Sequence, residues 1–203
     1  MSNVRKKLVE VAIREWEVFG KSHRGLDERW YIVGDEAKQP WTGIVNKYWR
    51  SVGLEDWDGN TKQPWSAAFI SWCFRQAGAW PHFKGSAKHS AYIDRIRRDH
   101  LDKLTLEDPR HTVLRPGDLI WNARGKGQPH HMIEAIQRLA KGDFFDSHVD
   151  IVVSIGPGSC DSIGGNVSNR DPGGSVTRST WRLSNGRLLD GRKNWIGVVK
   201  NGL

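Results

Sequence analysis

Cysteine, methionine and proline are scarce in this chain, at two, two and eight of 203 residues, and no apolar run comes near the ~18 residues of a membrane helix. Two cysteines are too few for a disulfide-built scaffold, and the default for Cys73 and Cys160 is a pair of free, buried thiols. No Cys-x-x-Cys or His-x-x-x-His spacing accompanies His89 or His130-His131, so neither a metal nor another cofactor is expected. A secretory signal is also lacking, because Glu10, Arg14 and Glu15 interrupt the apolar stretch that should follow Arg5-Lys6-Lys7. The chain is therefore expected to be made in a cytoplasm without a Sec leader and to hold no transmembrane segment.

Tryptophan and positive charge are abundant instead. There are 11 tryptophans, and Lys+Arg number 31 against 23 Asp+Glu, a formal charge of +8. Together they point to a large aromatic core or groove and to a polyanionic partner. Nucleic acid is not that partner on sequence grounds, because no helix-turn-helix, zinc-finger or RNA-motif signature is present. The tryptophans at 41, 49, 57, 65, 72 and 80 fall about eight residues apart. The residues between them do not repeat, so the spacing is a coincidence on top of aromatic enrichment.

Apolar periodicity predicts a helix over Val4–Phe19, ended by Gly20, and a second over Thr42–Val52. Residues 21–40 and 54–64 read as polar loops. Ser66–Ala77 is apolar nearly all round, which marks a buried central helix. A fourth helix is expected from Ser86 and a fifth over 131–141. Beyond residue 110 the pattern turns β-like, at Leu119–Trp121, His148–Ile155, from Asp161, Val176–Leu183 and Trp195–Val199. Helices first and a mainly antiparallel sheet afterwards is an α+β order. Length allows one domain over 1–203, helical to about 110 and sheet from about 111.

Three polar positions could carry chemistry. Ser66 stands where a loop becomes the central helix, where the dipole and free N–H groups favour a nucleophile and an oxyanion; its plain alternative is an N-cap. His148 opens a strand and could act as general base, with Asp150 two residues on and on the same face. Asn166 follows Gly164-Gly165 and could orient an imidazole or simply supply a turn. Cys73, seven residues past Ser66, suits packing. The run Arg95, Arg97, Arg98 is a solvated helix face or a polyanion contact.

Nucleophile at a helix start, histidine on one strand and a polar residue on the next is the papain-like order. Four segments, Trp65-Ser66-Ala67-Ala68-Phe69-Ile70-Ser71-Trp72, Arg115-Pro116-Gly117-Asp118-Leu119, His148-Val149-Asp150-Ile151-Val152-Val153 and Ile163-Gly164-Gly165-Asn166-Val167, resemble the CHAP/NlpC-type superfamily of bacterial cell-wall amidases and peptidases. The closer similarity is to a CHAP-related bacterial family of unknown function with serine at the nucleophile position.

The resemblance implies a papain-like fold and hydrolysis of a peptidoglycan amide through an acyl-enzyme on Ser66, with His148 as base. It aligns the third polar residue with Asn166. Because serine, unlike cysteine, must lose its proton as attack proceeds, Asp150 or Asp161 is added as a candidate to stabilise the imidazolium. Trp65, His89 and Gly165 are the candidate substrate contacts. A leaderless hydrolase of this kind suits an antibacterial effector carried by secretion machinery, acting in the periplasm or wall of a target cell and countered by an immunity protein. The alternative is a catalytically inactive papain-like module that binds cell-wall glycan or peptide.

Overall fold

The computed structural model describes residues 3–99, 103–168 and 173–203. It is α+β, with five helices and a large, mostly antiparallel sheet. Helices α1 (Asn3–Val18), α2 (Trp41–Arg50), α3 (Ser66–Gln76) and α4 (His89–Asp99) come first, and α5 (Met132–Ala140) lies between two strands of the second half. The long strands are β4 (Leu119–Ala123), β5 (Ser147–Gly156), β6 (Ser159–Val167), β7 (Ser175–Ser184) and β9 (Asn194–Asn201). These agree with the helices and strands expected from the residue pattern, apart from small shifts at the ends. Helix α4 begins at His89, three residues beyond Ser86.

The periodicity does not reveal the short strands. Residues 22–24 (β1) and 30–31 (β2) form strands inside the expected polar loop, and 104–107 (β3) and 187–188 (β8) are two more. Strand order is β2-β1-β7-β6-β5-β4-β9-β3, with β8 beside β7. Only the β1–β7 pairing is parallel. A strand of two or three residues carries almost no alternation of its own and exists because a longer neighbour offers an edge. As a result the helical half contributes three strands to the sheet, and the division near residue 110 is one of composition rather than of architecture.

Alternation along β5 sends its residues to two cores. Val149, Ile151 and Val153 join the main core beneath the helices, with Leu119, Trp121 and Ile163. On the other face Val152 packs with Ile120, Cys160, Trp181 and Val198. Cys73 and Cys160 are both free and buried, one in each core. The aromatic excess sits largely in the main core. Trp65 stacks on Tyr48 at 5.4 Å, and Tyr48 meets Phe69 and Trp72 edge-on. Such ring pairs contribute roughly 0.5–1.5 kcal/mol each beyond area burial.

Two glycines set the depth at which helix and sheet meet. A Cβ on Gly165 would stand 2.6 Å from Phe69 Cβ and 2.7 Å from a Trp65 ring carbon, so α3 rests directly on the bare backbone of β6. A Cβ on Gly164 would stand 1.8 Å from Asp150 Oδ1 and 2.9 Å from His148 Nε2. One dipeptide thus makes room for the helix on one face and for a histidine–aspartate pair on the other. Among the described residues, no helix is long and apolar enough to cross a membrane.

Candidate functional site

Ser66 is the first residue of α3, and the N-cap is Trp65, whose carbonyl accepts from Phe69 N at 2.9 Å. The Ser66 hydroxyl therefore does not cap the helix. Its Oγ lies 2.6 Å from Nε2 of His89. Nδ1 of the same ring lies 2.5 Å from the Tyr92 hydroxyl, one helical turn along. The loop before α4 is tied to α3, where Ser86 N donates to Ser71 Oγ at 3.0 Å, and to α4 itself, where Arg95 donates to the carbonyls of Lys84 and Gly85. That tether fixes where α4 starts and so holds His89 over Ser66.

The second histidine comes from the sheet. His148 Nε2 and Asp150 Oδ1 are 2.8 Å apart, and Asp150 Oδ2 accepts from Ser162 Oγ at 2.9 Å. Ser162 Oγ in turn accepts from the Trp181 indole at 2.7 Å. The His89 and His148 rings meet edge-on, with centroids 5.5 Å apart. Ser66, His89, His148 and Asp150 are all buried.

Electrostatics assign the protons. Burial, then the neighbouring His148 and Arg124 charges, push the His89 pKa well below the ordinary histidine value. Burial and Arg124 also push His148 down, against the pull of Asp150. Asp150 is held below the usual carboxylate range, where burial opposes but His148 and the hydrogen bonds from His148 and Ser162 favour the charged form. Both rings are thus neutral near pH 7 and Asp150 is ionised. A carboxylate only accepts, so the His148 proton sits on Nε2, and Nδ1 presents a lone pair. That Nδ1 is buried without a hydrogen-bond partner among the described residues.

Tyr92 settles the other ring. Burial and Asp150 raise its pKa well above the ordinary phenol value, so it keeps its proton. Its hydroxyl has His89 Nδ1 as its hydrogen-bond partner, and a buried O–H without an acceptor costs about 1–3 kcal/mol. Tyr92 therefore donates to Nδ1, the His89 proton sits on Nε2, and His89 donates to Ser66 Oγ. The Ser66 proton is left unclaimed by His89. The expected hydrogen bond between Ser66 and His148 is not formed: Ser66 meets His89, while His148 engages Asp150 through Nε2 and leaves Nδ1 without a partner among the described residues.

Ser66 and Ala67 line a cavity of about 450 Å³, walled by Trp49, Trp57, Phe144 and Phe145. The first-turn N–H groups of α3 have no partner within the helix, which makes this end a donor site for negative charge. Trp49 and Trp57, 4.9 Å apart and edge-on, are the tryptophans that face this cavity. A second cavity, of about 220 Å³, lies on the His148–Asp150 side. Arg124 lines both.

Residues 23–200 match a family described as "Uncharacterized protein conserved in bacteria (DUF2272)". The chain belongs to that family. No curated protein and no solved structure matches it. The matched span contains both cavities and both histidines.

The other expected site residues fall in different places. Trp65 is fully buried, with its indole N–H donated to Glu36, so it anchors the start of α3 rather than facing the cavity. Gly165 is packed beneath α3 and serves as clearance. Asn166, at φ 54°, lies on the wall of the second cavity, while Asp150 takes the His148 nitrogen that Asn166 was expected to hold. Asp161 pairs with Arg178 and accepts from Ser154 and Thr180, away from the histidines. Arg97 and Arg98 both pair with Asp94, which accounts for two charges of the basic run. His131 is the N-cap of α5.

Sequence reasoning missed Tyr92, Ser162 and Arg124 as parts of the site. Tyr92 was legible as His89-x-x-Tyr92 on one helix face. No sequence signal marks Ser162 or Arg124, because their places depend on strand register.

Proposed function

We propose that this protein is a papain-like hydrolase that cleaves an amide bond of peptidoglycan through an acyl-enzyme on Ser66. The observation that carries the reading is Ser66 at the open end of α3, hydrogen-bonded at 2.6 Å to His89, whose ring in turn meets the ring of His148, the histidine held by Asp150. Ser66 Oγ attacks the carbonyl carbon as its proton passes to His148 Nδ1, a transfer that requires these two atoms, not hydrogen-bonded in this structure, to come into contact when substrate binds. The electron pair of the C=O bond moves to oxygen, where the first-turn N–H groups of α3 stabilise it. Asp150 stabilises the imidazolium that forms. His148 then gives the proton to the leaving amine, the C–N bond breaks and an ester on Ser66 remains. Water, deprotonated by His148, attacks that ester and restores the serine. His89, donating to Oγ throughout, orients the hydroxyl and stabilises its developing charge.

The substrate class follows from the resemblance to cell-wall amidases, and the aromatic wall and net charge of +8 favour a sugar-linked, anionic polymer. A role as an antibacterial effector, with secretion machinery and an immunity protein as partners, fits the same chemistry.

The test is digestion of purified sacculi by wild type, Ser66→Ala, Ser66→Cys and His148→Ala, with released muropeptides identified by mass spectrometry. Wild type and Ser66→Cys should release products, and both alanine variants should lose at least about 10²-fold in rate. Activity surviving in Ser66→Ala sinks the nucleophile. A silent wild type with an active Ser66→Cys supports the binding-module alternative instead.

A further inference from the structure

The cavity on the His148 side contains more positive charge than the described residues around it neutralise. Three cationic side chains, Arg24, Arg124 and Lys193, line it beside His148, Asp150 and Trp181. Arg24 is compensated: it donates to Glu28 at 2.8 Å and its guanidinium lies 5.0 and 5.3 Å from the Trp30 and Trp181 rings. Asp150 is committed to His148 and Ser162. Arg124 and Lys193 have neither an ion pair nor a side-chain hydrogen bond among the described residues, although both are half-buried. Burial pushes Lys193 below the ordinary lysine value, and Arg124 and Arg24 push it further. Arg124 is lowered by burial too, with Asp150 and Asp146 acting against it. Two unpaired like charges facing one small cavity are an unfavourable arrangement until an anion offsets them.

We infer that this cavity is a subsite for an oxyanion of the substrate, a carboxylate held between Arg124 and Lys193. The inference rests on the hydrolase reading for its substrate. Arg124 also lines the Ser66 cavity, so one substrate molecule can place a carboxylate here and an amide at Ser66. A volume of about 220 Å³ admits a carboxylate and its neighbouring atoms but not a sugar chain. The bond cleaved is then one close to a free carboxylate of a stem peptide.

The test is calorimetric titration with N-acetyl-D-alanyl-D-alanine, its C-terminal carboxamide and inorganic phosphate. Each is titrated into wild type, Ser66→Ala, Lys193→Met, Lys193→Arg and Arg124→Met, with near-ultraviolet circular dichroism confirming the fold. The carboxylate should bind at least about tenfold more tightly than the carboxamide in wild type and in Ser66→Ala. That preference should vanish in Lys193→Met and Arg124→Met and return in Lys193→Arg. Equal binding of the two peptides, or binding of phosphate alone, overturns the subsite. Because Ser66→Ala cannot form an acyl-enzyme, a carboxylate preference there stands even if the sacculus digestion fails, and the two results separate.

Discussion

The helical and the sheet side of the site each present a buried neutral histidine, yet they hold it differently. On the helical side His89 is fixed by a neutral phenol, Tyr92, and has both ring nitrogens engaged. On the sheet side His148 is fixed by a carboxylate and has one ring nitrogen free. A phenol that must donate forces its ring to become a donor toward Ser66, whereas a carboxylate that can only accept leaves its ring with a lone pair. On the proposed hydrolase reading, partner chemistry, rather than position or burial, divides the work between orienting the hydroxyl and removing its proton. Asp150 also makes the charged form of His148 affordable in a buried place, and His89 has no such support.

The strongest way to break that contrast is to delete each ring in turn. His148→Ala should lower the rate of sacculus digestion by about 10²–10⁴-fold, as loss of a general base does. His89→Gln, which keeps a donor, should cost only about tenfold, the worth of one hydrogen bond to a group developing charge. Steady-state rates on soluble muropeptides measure both, and the reverse ranking would exchange the two roles.

Asp150→Asn is the next largest effect, about 10²-fold, and it carries a pH signature. Asp150 raises the His148 pKa, opposing burial and Arg124. Removing its charge lowers that pKa further, so His148 stays unprotonated to lower pH. The acid limb of the rate profile should therefore move to lower pH while the plateau falls. A limb that moves upward, or stays put, would show that His148 is not the group titrating.

Much of this was legible in the sequence, for identifiable reasons. Helix α3 announces itself through an apolar surface on all sides, and Ser66 through its place at the helix start. His148 and Asp150 follow from strand alternation, which puts i and i+2 on one face. The Gly164-Gly165 pair was visible as a close-approach signal, but what approached it was not. Choosing Asp150 over Asn166 and Asp161 requires register: Ile151 pairs with Ile163, so Gly164 faces Asp150 and leaves space for it, while Asp161 turns to Arg178. His89 as the partner of Ser66 depends on a loop tether through Ser71 and Ser86, a contact with no periodicity to betray it. Trp65 shows the opposite failure, because an aromatic next to a candidate nucleophile suggests a substrate platform, yet only the fold reveals that Tyr48 already covers it.

The smallest effect probes the proton assignment itself. Tyr92→Phe removes one hydroxyl and keeps the ring in the core, so the rate should fall only about fivefold, near 1 kcal/mol. Without the phenol, nothing holds the His89 proton on Nε2. It can move to Nδ1, which turns Nε2 into an acceptor for the Ser66 hydroxyl and sets His89 in competition with His148 for the same proton. Nitrogen chemical shifts of the two imidazoles distinguish the states: wild type should show an Nε2–H tautomer at both histidines, and Tyr92→Phe should change His89 alone. An Nδ1–H tautomer at His89 in the wild type would break the comparison at its root, because His89 would then be the base that Ser66 already addresses.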